Sequence, residues 1–186
     1  MNENSEKTQN LLVDRLKNGD RSAAAELVDA YYKQIYLYMR RLGHSRQVSE
    51  DLTQESFLQA WQHIGQIKNG SAISGWLYSI ASNASKLYWR KNKNSSVSIE
   101  NIQMPGFSDA ASDLAGKSEQ LMKLRKSLLK LPFKLRQVIV LHYMQQLSIV
   151  DAAKAADIKD GTFKSRLNRA LKVLKKEVAD KTGGQQ

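Results

Sequence analysis

Residues 148–176 read SIVDAAKAADIKDGTFKSRLNRALKVLKK, and the fold class turns on this stretch. Ser148 followed by Asp151 has the form of a capping box, with Asp where Glu is usual, and predicts a helix start. The helix that follows is rich in alanine, so a second helix can lie close against it. Asp157 to Gly161 supplies a turn, with Asp160 placed to cap the next helix. In that helix Phe163, Leu167, Leu171, Leu174 and Val178 step by 4, 4, 3 and 4, which makes one apolar face. Its other faces carry Lys164, Arg166, Asn168, Arg169, Lys172, Lys175 and Lys176. This is the pattern of a helix-turn-helix whose second helix enters the major groove. Lys, Arg, Asn and Ser near that helix's start can reach base edges, and cations further along can neutralise phosphates. A basic amphipathic helix packed on its neighbours would share the stripe. The alanine-rich helix and the Asp160-Gly161-Thr162 turn favour DNA.

Upstream, helical spacing continues. Leu121, Leu124, Leu128 and Leu131 form a face that Pro132 closes. Near the start, Leu27, Tyr31, Ile35, Tyr38 and Leu42 form another, ended by Gly43 as a C-cap. A helix from about Ser49, with Glu50 and Asp51 at its dipole's positive end, is expected to bury Phe57, Ala60, Trp61 and Ile64. One from about Ser74 is expected to bury Leu77, Ile80, Ala81, Ala84 and Leu87 or Tyr88. From Lys93 to about Lys117 no period is sustained, which reads as a linker. The sequence therefore predicts an all-α protein of two small helical domains, 1–92 and 119–186, joined by a flexible linker over 93–118, the second containing the helix-turn-helix.

Charge agrees with this division. The net charge is +11, and residues 119–186 hold 15 Lys/Arg against 6 Asp/Glu, whereas 93–118 hold 2 against 3. The excess in the last third suits a local polyanion-binding surface, although a solvated basic face would look the same. Cysteine is absent, which excludes disulfides, thiolate zinc sites and cysteine nucleophiles. Met1 to Asn10 lacks the apolar core of a signal peptide, and Val138 to Leu141 is too short to cross a bilayer. A cytoplasmic protein with no direct membrane insertion is expected. His44, His63 and His142 form no ligand-spaced pair and read as surface or interface residues. With no Gly-rich phosphate loop, metal cluster or triad, the expectation is no enzyme, no cofactor and no metal site.

The chain resembles the extracytoplasmic-function (ECF) class of bacterial RNA polymerase sigma factors of the sigma-70 family, at both ends and in order. The part resembling region 4 holds Leu131-Pro132, Arg136, Val138 to Leu141, Ser148, and Gly161-Thr162-Phe163-Lys164-Ser165-Arg166-Leu167. The part resembling region 2 holds Gly19-Asp20, Glu50 to Phe57, and Gly75-Trp76-Leu77-Tyr78-Ser79-Ile80-Ala81-Ser82-Asn83. Asp151-Ala152-Ala153 departs from the family's commoner Glu-Ile-Ala, and Phe163 replaces a β-branched residue; the exact promoter sequence stays open.

The resemblance implies a factor that binds core RNA polymerase, directs it to promoters, assists melting, and is held inactive by an anti-sigma factor. Asp51, Gln54, Glu55 and Leu58 share one face of their helix, and by resemblance this face docks on the coiled-coil clamp helices of core polymerase. Spacing alone would leave it a solvated acidic face. Trp76, Ser79, Asn83, Lys86 and Arg90 form a stripe of aromatic, hydroxyl, amide and cationic groups suited to single-stranded DNA. By resemblance, Asn83 contacts the non-template strand of the minus-ten element, Lys86 and Arg90 its phosphates, and the loop Gln66 to Ser74 holds an unpaired base. Trp76 suits either base stacking or core packing. For the minus-thirty-five element the candidates are Lys164, Ser165, Arg166, Asn168, Arg169 and Lys172, with Arg166 placed for either a phosphate or a bridge to the preceding helix. Two rival readings stand: a conventional transcriptional regulator with an N-terminal sensor or dimerisation module, and an interaction protein whose basic tail binds RNA or anionic lipid.

Overall fold

A computed structural model describes residues 3–67, 69–92 and 115–182, and among these every regular element is helical. The order is α1 (Glu3–Lys17), α2 (Arg21–Arg41), α3 (Arg46–Gln62), two short 3-10 turns (Ile64–Gln66 and Gly70–Ala72), then α4 (Ile73–Lys91). After the linker come α5 (Ala115–Lys130), α6 (Phe133–Ile139), a π-helical turn (Val140–Met144), α7 (Ile149–Ala155) and α8 (Asp160–Thr182). The expected linker falls largely outside the described residues, and α5 begins at Ala115.

Local chemistry sets the boundaries. Asp20 caps α2 by accepting from the backbone of Ser22 at 2.8 Å and Ala23 at 3.4 Å. Arg15 pairs with Asp20 and Glu26, each at 2.8 Å, and ties α1 to α2. Gly43 follows α2 at φ +91°, and a Cβ there would overlap the guanidinium of Arg136. Ser148 caps α7 by accepting from the Asp151 amide at 3.1 Å, while its hydroxyl donates to the Asp151 carboxylate at 2.6 Å. Asp160 is not a cap, because α8 already begins with it and the Phe163 amide reaches back to the Lys159 carbonyl. The turn opens at Asp157 as expected, with φ 55°, and ends before Asp160, where α8 begins.

Two predicted faces are rotated. On α3 the buried residues are Ser49, Thr53, Ser56 and Ala60, not the aromatic side. These small side chains let α3 approach α2 and α4, and Thr53 and Ser56 satisfy their hydroxyls on carbonyls four residues back, both at 2.6 Å. Phe57 is then half-buried and Trp61 is 38% exposed. On α8, Ala170 replaces Leu171 in the core beside Phe163, Leu167 and Leu174. Leu124 and Leu87 are likewise exposed. An unexpected helix, α1, contributes Leu12, Val13 and Leu16 to the N-terminal core.

The helices before and after the linker pack directly on each other, α4 against α7. Arg136 donates to the Leu42 carbonyl at the end of α2 at 2.9 Å, Arg41 to the Met144 carbonyl at 3.0 Å, and the Tyr78 hydroxyl to the Gln145 side chain at 2.7 Å. Desolvation lowers the Arg136 pKa to about 10, so it remains a cation set against helix-end carbonyls.

Candidate nucleic-acid and polymerase interfaces

On α3, Asp51, Gln54, Glu55 and Leu58 are all exposed along one face, Leu58 at 59%. The rotation of α3 explains this: with hydroxyl residues inward, a large aliphatic side chain is left outward. Beside it runs an apolar groove of about 390 Å³ between α1, α2 and α3, lined among others by Leu27, Tyr32, Phe57, Leu58 and Trp61. Tyr32 stacks on both Tyr36 and Phe57, with ring centroids at 6.4 and 6.3 Å. Trp61, expected in the core, and Tyr32 instead line this groove, because helical spacing does not distinguish a core from a groove wall.

On α4 the stripe divides. Asn83, Lys86 and Arg90 are exposed, whereas Trp76 is half-buried and packs on the core, with the Ser79 hydroxyl bonded to its carbonyl at 2.7 Å. The opposite face of α4 is fixed by Tyr78, edge-on to Tyr38 at 5.3 Å, and by Ser82, hydrogen-bonded to the Tyr38 hydroxyl at 2.7 Å. Burial raises the Tyr38 pKa to about 12, so it stays neutral. α7 lies along the stripe's edge: Lys86 meets Asp157 at 3.8 Å, and Gly75 faces Asp151. His44, read from sequence as a surface or interface residue, is only 1% exposed. It bonds Ser85 at 2.7 Å and packs on Tyr88 and Trp89. Desolvation, then the nearby Arg136 charge, depress its pKa to about 3.

On α8, Lys164, Ser165, Asn168, Arg169 and Lys172 are exposed and Arg166 is half-buried, while Phe163, Leu167 and Ala170 anchor the opposite side. α7 presents Ala152, Ala153 and Ala155 to the core, which is what brings α8 close. Among the described residues there is no cluster of His, Asp or Glu that could hold a metal ion, and no helix long and apolar enough to cross a membrane.

Fold and faces together define a helical protein in which a helix-turn-helix, α7 and α8, packs beside a polar stripe on α4. Residues 27–95 match the family Sigma-70 region 2, and residues 121–174 match Sigma-70, region 4. The chain is 33% identical to the ECF RNA polymerase sigma factor SigW of Bacillus subtilis (strain 168), over 90% of this chain and 95% of that one. It is 31% identical to the ECF RNA polymerase sigma-E factor of Salmonella typhimurium (strain LT2), over 92% and 94%. The fold resembles CnrH, solved in complex with the cytosolic domain of CnrY, at TM-score 0.69 and 20% identity, covering 92% of this chain and 97% of that one. It also resembles the sigma factor RpoE, solved with the anti-sigma factor NepR from Bartonella quintana, at TM-score 0.65 and 24% identity, covering 83% and 96%. The chain belongs to the ECF sigma factors, and its function is to direct RNA polymerase in transcription initiation at promoters.

Proposed function

We propose that three exposed faces divide the work of initiation. The α3 face with Asp51, Gln54, Glu55 and Leu58 docks on core polymerase, and the adjoining groove takes an apolar side chain of the docked helix. On α4, Asn83 contacts the non-template strand of the minus-ten element and Lys86 and Arg90 its phosphates, with Trp76 serving mainly as the stripe's core anchor. Lys164, Ser165, Asn168 and Arg169 read the minus-thirty-five element, Lys172 holds backbone, and Arg166 takes a phosphate at the edge. Residues 1–92 and 119–186 are thus the minus-ten and minus-thirty-five domains. The protein acts in the cytoplasm, without catalysis of its own, and an anti-sigma factor holds it inactive. The observation that carries the reading is that Asp51, Gln54 and Glu55, then Asn83, Lys86 and Arg90, then Lys164, Ser165, Asn168, Arg169 and Lys172 stand exposed on three separate helices.

The two promoter elements lie about 25 base pairs apart by name, roughly 85 Å of duplex at about 3.4 Å per base pair. Two halves joined by the Tyr78–Gln145 and Arg136–Leu42 bonds cannot span that distance, so the proposed roles require α4 and α7 to part.

Competition for core enzyme tests the docking role. The double variant Asp51→Ala, Gln54→Ala should bind core at least several-fold more weakly with unchanged helix content. Unchanged affinity would remove α3 from the interface, and failure of the wild type to bind core would favour a conventional regulator.

A further inference from the structure

We propose that Asn10 is a positioning residue for promoter opening: from α1 it holds the Asn69–Ala72 turn, through the amide of Gly70, in the shape that receives an unpaired minus-ten base. The proposal rests on the reading of α4 as the minus-ten face and on the base-holding role that the resemblance implies for the loop Gln66 to Ser74.

A three-residue 3-10 turn has almost no hydrogen-bond ladder of its own, so its shape depends on what grips it. Here the grip is nearly complete. Ile67 before the turn and Ile73 after it are 3% and 1% exposed and pin both ends in the core. The Asn69 side chain accepts from the Ala72 amide at 3.1 Å and from the Ser71 hydroxyl at 3.0 Å. Between these, the Gly70 amide donates to the Asn10 side-chain oxygen at 2.6 Å, across sixty residues of chain. Gly70 is itself buried, and a Cβ there would overlap the backbone of Gln9 and Asn10. Glycine is needed because two backbones touch, not because of an unusual φ.

The opposite side of the turn faces outward. Asn69 and Ser71 are exposed, and the turn runs directly into α4, which carries the Asn83 stripe. A pocket for an extruded base must be shaped in advance, since a loop that has to order itself on binding weakens base selection. Losing the Asn10 acceptor leaves a buried amide unpaired, and the turn must shift to reach water. Asn10 lies outside residues 27–95 that match region 2, so this brace is supplied by the N-terminal helix.

The test uses the full chain with core enzyme on a promoter selected by the wild-type holoenzyme from a randomised pool. Each base of the minus-ten element is varied, and permanganate reactivity and run-off product are measured. Asn10→Ala should reduce opening by about five- to tenfold, as expected for one buried hydrogen bond. Preference should flatten at a single base, with core affinity and the minus-thirty-five footprint unchanged. Asn10→Asp retains the acceptor and should restore preference, and Gly70→Ala should reproduce the defect more severely. The proposal is overturned if Asn10→Ala opens and selects like wild type. It is equally overturned if opening falls alike at every base and Asn10→Asp does not rescue, because that is a folding role. Asn83→Ala separates the two levels: if it impairs opening while Asn10→Ala does not, only the brace is wrong. If neither has an effect, the α4 reading falls and the proposal with it.

Discussion

His44 should make the stability of the N-terminal helices depend on pH. Its ring is almost fully enclosed by Ser85, Tyr88 and Trp89 on α4, with the Arg136 guanidinium nearby and Arg40 bonded to its carbonyl. Its pKa is about 3 in the folded protein against 6.5 for a free histidine. Above pH 6.5 the ring is neutral in both states, and its contribution is fully present. Below that value the unfolded chain takes up a proton that the folded protein refuses, so stability falls as pH falls. At pH 5, 1.5 units below the unfolded value, the loss is about 2 kcal/mol at roughly 1.4 kcal/mol per unit. Asp20, depressed to about 2, acts only at lower pH. Urea unfolding followed by tryptophan fluorescence at pH 8 and pH 5 measures this directly, since Trp61, Trp76 and Trp89 all lie in the first four helices. His44→Gln keeps a polar group near Ser85 and cannot be protonated, so most of the pH 8 to pH 5 loss should disappear. If the glutamine variant loses as much as wild type, the proton goes elsewhere and the reasoning is wrong.

Four further outcomes follow, two from α8 and two from the contact between the halves. Truncating Arg169 or Lys164 to Ala should cost about 1–3 kcal/mol and relax preference at particular minus-thirty-five bases. Lys172→Ala should weaken all sequences alike and reduce the salt dependence by about one contact, as read by a base-substitution scan at two salt concentrations. Between the halves, Arg136→Ala leaves the Leu42 and Leu131 carbonyls without their donor and should destabilise the packed form by about 1–3 kcal/mol, lengthening the distance between dyes on α2 and α8. The exposed Lys86–Asp157 pair contributes well under about 1 kcal/mol, so Asp157→Ala alone should move that distance little.

What the sequence determined by itself was local. Helix class, the Ser148 cap, the Gly43 stop and the exposed stripe on α8 all follow from spacings of three and four and from single capping groups. The resemblance singled out faces of α3 and α4, and Asn83, Lys86, Arg90, Asp51, Gln54, Glu55 and Leu58 stand exposed on them. Tertiary structure alone decided which side of α3 is core. Ser49, Thr53 and Ser56 look polar in sequence, yet their small side chains, with the Thr53 and Ser56 hydroxyls bonded to their own helix, allow closer approach than Phe57 or Trp61 would. It decided that polar-looking α1 supplies Val13 and Leu16 to the core and grips Gly70, that His44 is sealed in, and that Arg136 reaches Leu42. Each of these contacts joins residues tens of positions apart. Periodicity reports only neighbours within a turn or two, so burial set by a distant helix leaves no mark on it.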